Sequence, residues 1–400
     1  MVRARIGRTI SELSQMIRAI PAQTLVGAGA DDRRGGEIVN ISGVGGSCPS
    51  PGDMPRRRPS ASKRTRRTSA SPPWIVVETL NGPSHPTVVI DGNYRRRFGN
   101  LTRVSIARTA SLVRSLPAVV EHCARTGEPQ LQPVRLPSGR AIRLLALPVE
   151  GPVASVFGVL VCASSASCIP PSPLAVGTLE WNAVTGIATA NTAAERILDL
   201  AGAGERRERT LADVMCRFTW WEDRAGFLSL FDPAESVDEW AGTAIIADVG
   251  PGGRRHVYVV ARSCTSAAGR LVRAIVHDVT GLEPTPRFDT HAVALRRIPT
   301  REGHAVGLTD VASWLVHDWI AIDDTPLYRW RHQDPEIHWE DMESVARCRA
   351  ALLAGAESIG CTIRVRFSEH DQWATVRAEW TMLSRADRLQ AVFDITWISK

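Results

Sequence analysis

From Trp74 onward the chain reads as short apolar runs separated by turn-forming residues, the pattern of antiparallel strands rather than of long helices. WIVVETL and TVVID flank Asn81–Pro86, where Asn-Gly-Pro marks a turn. Val104, Ala107, Leu112, Val113, Leu116, Val119 and Val120 supply one apolar face at helical spacing, which predicts a helix over Leu101–Arg125 kinked or split at Pro117. Leu131–Leu136, Arg140–Pro148 and Val153–Cys162 read as three further strands. After the linker-like Ala163–Pro173 come strands at Val176–Trp181 and Gly186–Ala190. Asn191 should cap a short helix, Thr192–Leu200. A longer helix over Trp220–Phe231 and a strand over Ala241–Asp248 follow. The clearest element is a hairpin: His256–Ala261 and Leu271–Val279 are rich in β-branched residues and flank the small-residue turn Thr265–Gly269. Beyond it, His291–Ile298 leads into a helix expected over Asp310–Trp319.

Three segments recur in order. AIVHDVT at 274–280 returns as QAVFDIT at 390–396, Trp221-Glu222-Asp223 as Trp339-Glu340-Asp341, and IATANTAAER at 187–196 as IAIDDTPLYR at 320–329. The offsets are 116, 118 and 133, as a second copy with a shorter middle would give. The Asp-Val-Thr ending of the hairpin and the Asn that closes a second strand resemble PAS domains. The order of elements over 74–400 resembles three-domain actinobacterial signalling proteins, in which a central PAS domain lies between divergent GAF- or PAS-like domains. The expected fold is α+β, tandem PAS/GAF-like modules each built on an antiparallel sheet with flanking helices. The divisions are a disordered Arg/Ser/Pro-rich tail over 1–73, a divergent GAF/PAS-like domain over 74–163, a central PAS-like domain over 174–283 and a second PAS-like copy over 284–400.

Charge sharpens the division. Residues 1–73 hold 13 basic and 5 acidic residues, whereas 74–400 hold 35 and 37, so the net +6 resides in the tail. Nucleic-acid binding through that tail is an alternative the folded part does not support. The longest apolar stretch, Val153–Ala163, is 11 residues, short of the roughly 20 a spanning helix needs. With eight scattered cysteines and no CxxC pair, a reducing, cytoplasmic setting is expected.

No phosphate loop, nucleophile elbow or metal-ligand spacing appears in 74–400, so a non-enzymatic protein is expected. Cys216-Arg217-Phe218 resembles the flavin-adduct motif of light-sensing PAS domains. However, Met215 and Thr219-Trp220 depart from it, and Val257, Val259, Ile275 and His277 stand where flavin-gripping amides would be. His277 is the candidate axial ligand for a haem. The identity of a cofactor stays unknown. His317-Asp318, Asp323-Asp324, His332 and His338–Asp341 read as solvated loop. Eleven of twelve tryptophans follow Leu174, and indoles can line an apolar pocket that has one donor per ring. The candidate ligand-binding residues are Trp181, Cys216, Trp220, Trp221, Tyr258 and His277. The resemblance implies a sensor that binds a small molecule or a signalling partner, relays the change to a separate output protein and forms a homodimer through exposed sheet faces or flanking helices.

Overall fold

The computed structural model describes residues 74–399 apart from 154, 166–167, 201–207, 247–252, 268, 285–300 and 323–325. The expectations for the tail over 1–73 and for His291–Ile298 lie outside the described residues. Three antiparallel sheets follow one another along the chain. The first contains β1 (Trp74–Glu78), β2 (Thr87–Asp91), β3 (Tyr94–Gly99), β4 (Gln130–Arg135), β5 (Ala141–Glu150) and β6 (Val156–Ser165), in spatial order β3-β2-β1-β6-β5-β4. The second contains β7 (Val176–Asn182), β8 (Ile187–Ala190), β9 (Glu208–Thr210), β10 (Phe218–Trp221), β11 (Glu239–Ile246), β12 (Arg255–Ser266) and β13 (Gly269–Asp278), in order β10-β11-β12-β13-β7-β8-β9. The third contains β14 (His304–Asp310), β15 (Leu315–Ile322), β16 (Glu336–Ile337), β17 (Ser358–Arg366), β18 (Ala374–Ser384) and β19 (Gln390–Ser399), in order β15-β14-β19-β18-β17-β16.

Set the short edge strands aside and the three orders are one. In each, the first strand lies in the middle between the second and the last, and the antepenultimate long strand is reached through the penultimate one. The recurring sequence segments fall on matching parts of this plan. Asp278 closes β13 and Asp394 lies in the middle of β19, each on the last strand of its sheet. Asp223 and Asp341 each stand at the N-cap of a helix, α4 (Arg224–Ser229) and α5 (Met342–Leu353). The remaining helices are α1 (Ala110–Thr126), α2 (Thr192–Ile197) and α3 (Leu211–Met215).

Strand alternation sorts side chains into layers. In β1, Ile75 and Val77 point to a core shared with Leu112, Leu116, Val119 and Val120 of α1, while Trp74 and Val76 point the other way. In β12, Val257, Val259 and Ala261 face the second sheet's own helices, and Tyr258 and Val260 face the first sheet. The outer faces of the first two sheets therefore bury each other in one apolar layer with Phe157, Leu160, Ala241 and Ile275. Homodimerisation through these two faces, one of the routes expected from sequence, is closed because they cover each other within the chain. The third sheet's outer face is charged and mixed: Arg377 and Thr381 are exposed, Glu379, Asp394 and Thr396 half-buried, and Val306, Leu308 and Val392 share it, also half-buried.

Three helix expectations change. The Leu101–Arg125 helix becomes a turn of 3-10 helix at Leu101–Arg103 and then α1, capped by Thr109, whose Oγ1 accepts from Leu112 N at 3.4 Å. It runs on through an exposed Pro117, whose ring stays clear of the core. Trp220–Phe231 divides into β10 and α4, because the aromatic run pairs with β11 and Asp223 then accepts from Gly226 N at 2.8 Å to start the helix. Asp310–Trp319 is a hairpin, not a helix. Asp310 accepts from the Ser313 backbone N–H (2.8 Å) and hydroxyl (2.5 Å), and Trp314 takes φ 59°, so the chain reverses between β14 and β15.

Gly177 on β7 is required by close approach. A Cβ there would lie 2.5 Å from Ala194 Cα and 2.6 Å from Ala194 N in α2. Gly177→Ala is expected to lower stability by about 1–3 kcal/mol, because backbone rather than a flexible side chain must move. Thermal unfolding of the variant checks this; an unchanged Tm would mean that α2 is free to shift.

Candidate ligand-binding site

The inner face of the second sheet meets α2, α3 and α4, and the space between them is filled by aromatic rings. Trp181 on β7 stands edge-on to Phe227 (5.8 Å) and Phe231 (6.0 Å). Trp221 on β10 packs on Phe218 (4.5 Å), Phe227 (5.0 Å) and Trp240 (5.6 Å). Trp240, the second residue of β11, closes the ring at 5.4 Å from Phe227. The offset and edge-on arrangements are those the ring quadrupoles favour. All three indole N–H groups, of Trp181, Trp221 and Trp240, are buried with no acceptor among the described residues. Trp181 and Trp240 are only 2% and 5% exposed. An unmet buried donor costs about 1–3 kcal/mol, so three around one phenyl ring mark a place where an acceptor would be stabilising.

The six residues singled out from sequence do not converge. Trp181 and Trp221 meet at this ring cluster. Trp220 is half-buried on the edge strand β10 and is outside the core that takes Trp221. Tyr258 lies on the opposite face of the sheet, against the first module, and its hydroxyl donates to Arg96 O at 2.8 Å. Desolvation pushes its phenol up to about 12. His277 is 6% exposed, with Nδ1 2.9 Å from Ala175 O. Its strand neighbour Ile275 belongs to the layer between the first two sheets, so by alternation His277 points away from the aromatic core, where an axial ligand would have to reach. Cys216 is the C-cap of α3; its Sγ donates to Asp213 O (3.1 Å) and accepts from Arg331 Nη2 (2.9 Å) of the third module. Desolvation raises its thiol despite the guanidinium beside it. Phe227, Phe231 and Trp240 complete the cluster and were not singled out. The only signal for them was an aromatic at helical spacing in α4 and another at the start of β11.

The His/carboxylate stretch is solvent-facing at Trp339-Glu340, as a solvated loop would be, but buried at His317-Asp318. His317 and Asp318 are 1% and 3% exposed. Arg224 of α4 donates from Nη1 to Asp318 Oδ2 (3.1 Å) and from Nη2 to His317 Nδ1 (2.8 Å), while His317 Nε2 meets Gln390 Oε1 at 2.5 Å. The arrangement needs a neutral imidazole with its proton on Nε2. His332 Nδ1 lies 3.2 Å from Asp213 Oδ1, and desolvation of that carboxyl is outweighed by His332 and Arg209, which hold it below its usual range. Asp323 and Asp324 lie outside the described residues. No group of His, Cys, Asp and Glu among the described residues is arranged to hold a metal.

Helix α4 thus serves two modules. Phe227, Leu228 and the following Leu230 and Phe231 enter the second module's core. At its two ends, Arg224 holds the third module through Asp318 and His317, and Asp232 faces Arg388 at 3.5 Å.

Burial depresses His256, His277 and His317, the last well below the ordinary imidazole value. A histidine held neutral in the fold but free to protonate when unfolded contributes stability that is complete above about pH 6.5 and is lost as pH falls from there toward the depressed value. Unfolding free energy should therefore decline from pH 6.5 to 5 by as much as about 1.4 kcal/mol per pH unit for each such histidine. Urea midpoints across this range check it. A flat profile would mean that the three rings keep ordinary affinities.

No curated protein matches the chain. A solved structure of an uncharacterised protein from Mycobacterium tuberculosis aligns over 82% of this chain and 96% of its own, at 18% identity and a TM-score of 0.63. An RNA-binding light-oxygen-voltage receptor aligns over 56% and 95%, at 10% identity and a TM-score of 0.22. The DhaR(N)–DhaL complex from E. coli aligns over 51% and 78%, at 9% and 0.18. Residues 73–172, which contain the whole first sheet, match the family model described as Rv3651-like, N-terminal, and over most of its length the chain shares its fold with the mycobacterial protein.

Proposed function

We propose that this is a non-enzymatic sensory protein whose second module, a PAS-like domain, takes a small apolar or aromatic molecule bearing acceptor atoms into its ring-lined core. The observation that carries this reading is the trio of buried indole N–H groups on Trp181, Trp221 and Trp240 that find no acceptor among the described residues. An apolar wall with a few convergent donors is the make-up of a small-molecule pocket. The common strand order of the three sheets, the Asn191 cap and the Asp-Val-Thr ending of β13 support PAS-like modules on either side of that core. Occupancy must favour one arrangement of the rings over another to act as a signal, and Phe227 and Phe231 are the rings that would have to move aside. In this reading the change is relayed to a separate output protein.

Native mass spectrometry with an absorbance spectrum on the full chain, purified without added cofactor, tests the reading. A retained molecule of defined mass is expected, lost by about tenfold in occupancy when Trp221→Phe removes one donor but keeps an aromatic ring. A chain that carries nothing, and whose tryptophan fluorescence is unmoved by a library of aromatic acids and amides, would overturn it. Trp221→Phe should leave Tm within about 2–4 °C, since an unmet donor is removed along with some packing.

A further inference from the structure

A cavity of about 540 Å³ opens where the β1–β2 turn of the first module (Leu80, Asn81, Gly82) meets the tip of the β12–β13 hairpin of the second. It is separate from the aromatic core. Its size falls within the range that small-molecule sites occupy, and its chemistry is polar. Ser263, Thr265, Ser266 and Cys264 come from β12, Arg270 and Arg273 from β13, and Asp238 from the chain just before β11.

The two arginines differ in a way that points to an occupant. Arg262 of the second module has Glu78 and Glu239, Arg209 has Asp213, and Arg273, in the wall of this same cavity, has Glu180 at 2.8 Å. Arg270 has no carboxylate at ion-pair distance among the described residues. Its Nε donates to Leu230 O (2.8 Å), and its Nη2 to Val237 O (3.0 Å) and Ser263 Oγ (2.8 Å), all neutral acceptors. Nη1 has no acceptor among the described residues. Arg273 spends Nε on Glu180 and Nη1 on Leu80 O (3.2 Å), and its Nη2 is likewise uncommitted. Burial already depresses Arg270, against the weaker opposing pull of Asp232, Asp238 and Glu235. A partly desolvated, unpaired cation beside a second spare N–H is a site short of one negative charge.

We propose that this groove between the first and second modules binds a small anion, a carboxylate or phosphate, held by Arg270 Nη1 and Arg273 Nη2 with the hydroxyls of the hairpin tip. Asp238, exposed on the rim, opposes the ligand's charge and keeps affinity modest. Cys264, half-buried in the wall, reports occupancy through its accessibility.

The test titrates the full chain with inorganic phosphate and, separately, citrate in low-salt buffer. Calorimetry follows binding, and mass-resolved alkylation of Cys264 by iodoacetamide follows the site. One saturable event per chain and slower alkylation of Cys264 are expected with at least one probe; which probe binds decides between phosphate and carboxylate. Arg270→Gln should weaken binding at least about tenfold, and Asp238→Asn should tighten it about threefold. Because Arg270 also holds two backbone carbonyls, Thr265→Asp, a change at an exposed position, provides a second charge test and should abolish binding without loss of fold. Failure of both probes to bind, or binding that is equal in wild type, Arg270→Gln and Thr265→Asp, would overturn the proposal.

Discussion

Glu78→Ala should unfold the first two modules more readily than any surface change, with a loss of about 3–5 kcal/mol. Glu78 is fully buried at the end of β1, where Oε1 accepts from Arg262 Nε (3.0 Å) and Thr87 Oγ1, and Oε2 from Leu80 N (2.9 Å). Arg262 is itself 8% exposed and sits over the Phe98 ring at 4.1 Å. Removing the carboxylate leaves that guanidinium with only Glu239, which is half-exposed, and strands a backbone N–H as well. The pair joins the first sheet to the second, so the expected signature is a lowered urea midpoint reported by both modules together. A loss under about 1 kcal/mol would show that water reaches Arg262 and that the layer between the sheets is looser than its apolar packing implies.

Asp310→Asn should have a similar effect on the third module, again about 3–5 kcal/mol. Asp310 is fully buried and accepts from Arg388 Nε and Nη2 (2.8 Å), from Gln390 Nε2 (3.0 Å), and from Ser313 twice. It thus fixes the β14–β15 turn and orients Gln390, which holds His317, which in turn accepts from Arg224. An amide keeps the shape but loses the charge that Arg388 requires and puts a donor where an acceptor is needed. The loss should reach the second module: hydrogen exchange in α4 is expected to rise along with that in β14 and β15. If exchange rises only within the third module, the chain of contacts from Asp310 to Arg224 transmits nothing.

How far such features could be read from the sequence depended on the distance over which their cause acts. The α+β class and the hairpin at 255–278 were legible because β-branched enrichment and turn chemistry are local: Val257, Val259, Val260, Val272, Ile275 and Val276 flank a small-residue turn in their own neighbourhood. The Asn191 cap was legible for the same reason. The Asp310–Trp319 segment was misread because Val311 and Leu315 are four apart, as on a helix, while the decisive contact is Asp310 with Ser313, an option a propensity reading does not weigh. Of the ring cluster, Trp181 and Trp221 were legible by residue type alone. Tyr258 and His277 were grouped with them wrongly in space, because which face of a strand is inner depends on what packs there. Here both faces of the second sheet are buried, so hydrophobicity does not distinguish them. Arg270 was invisible as a candidate, since its distinction is the absence of a carboxylate that only the folded chain can reveal.

The charged outer face of the third sheet has a consequence for what can pack on it. The first two sheets use up their outer faces on each other, and a further copy of the same plan would need an apolar face on which to stack. Arg377, Glu379, Thr381, Asp394 and Thr396 withhold it. An apolar sheet could dock there only by taking the Arg377 guanidinium and the Asp394 carboxylate out of water, at a cost of several kcal/mol per buried charge.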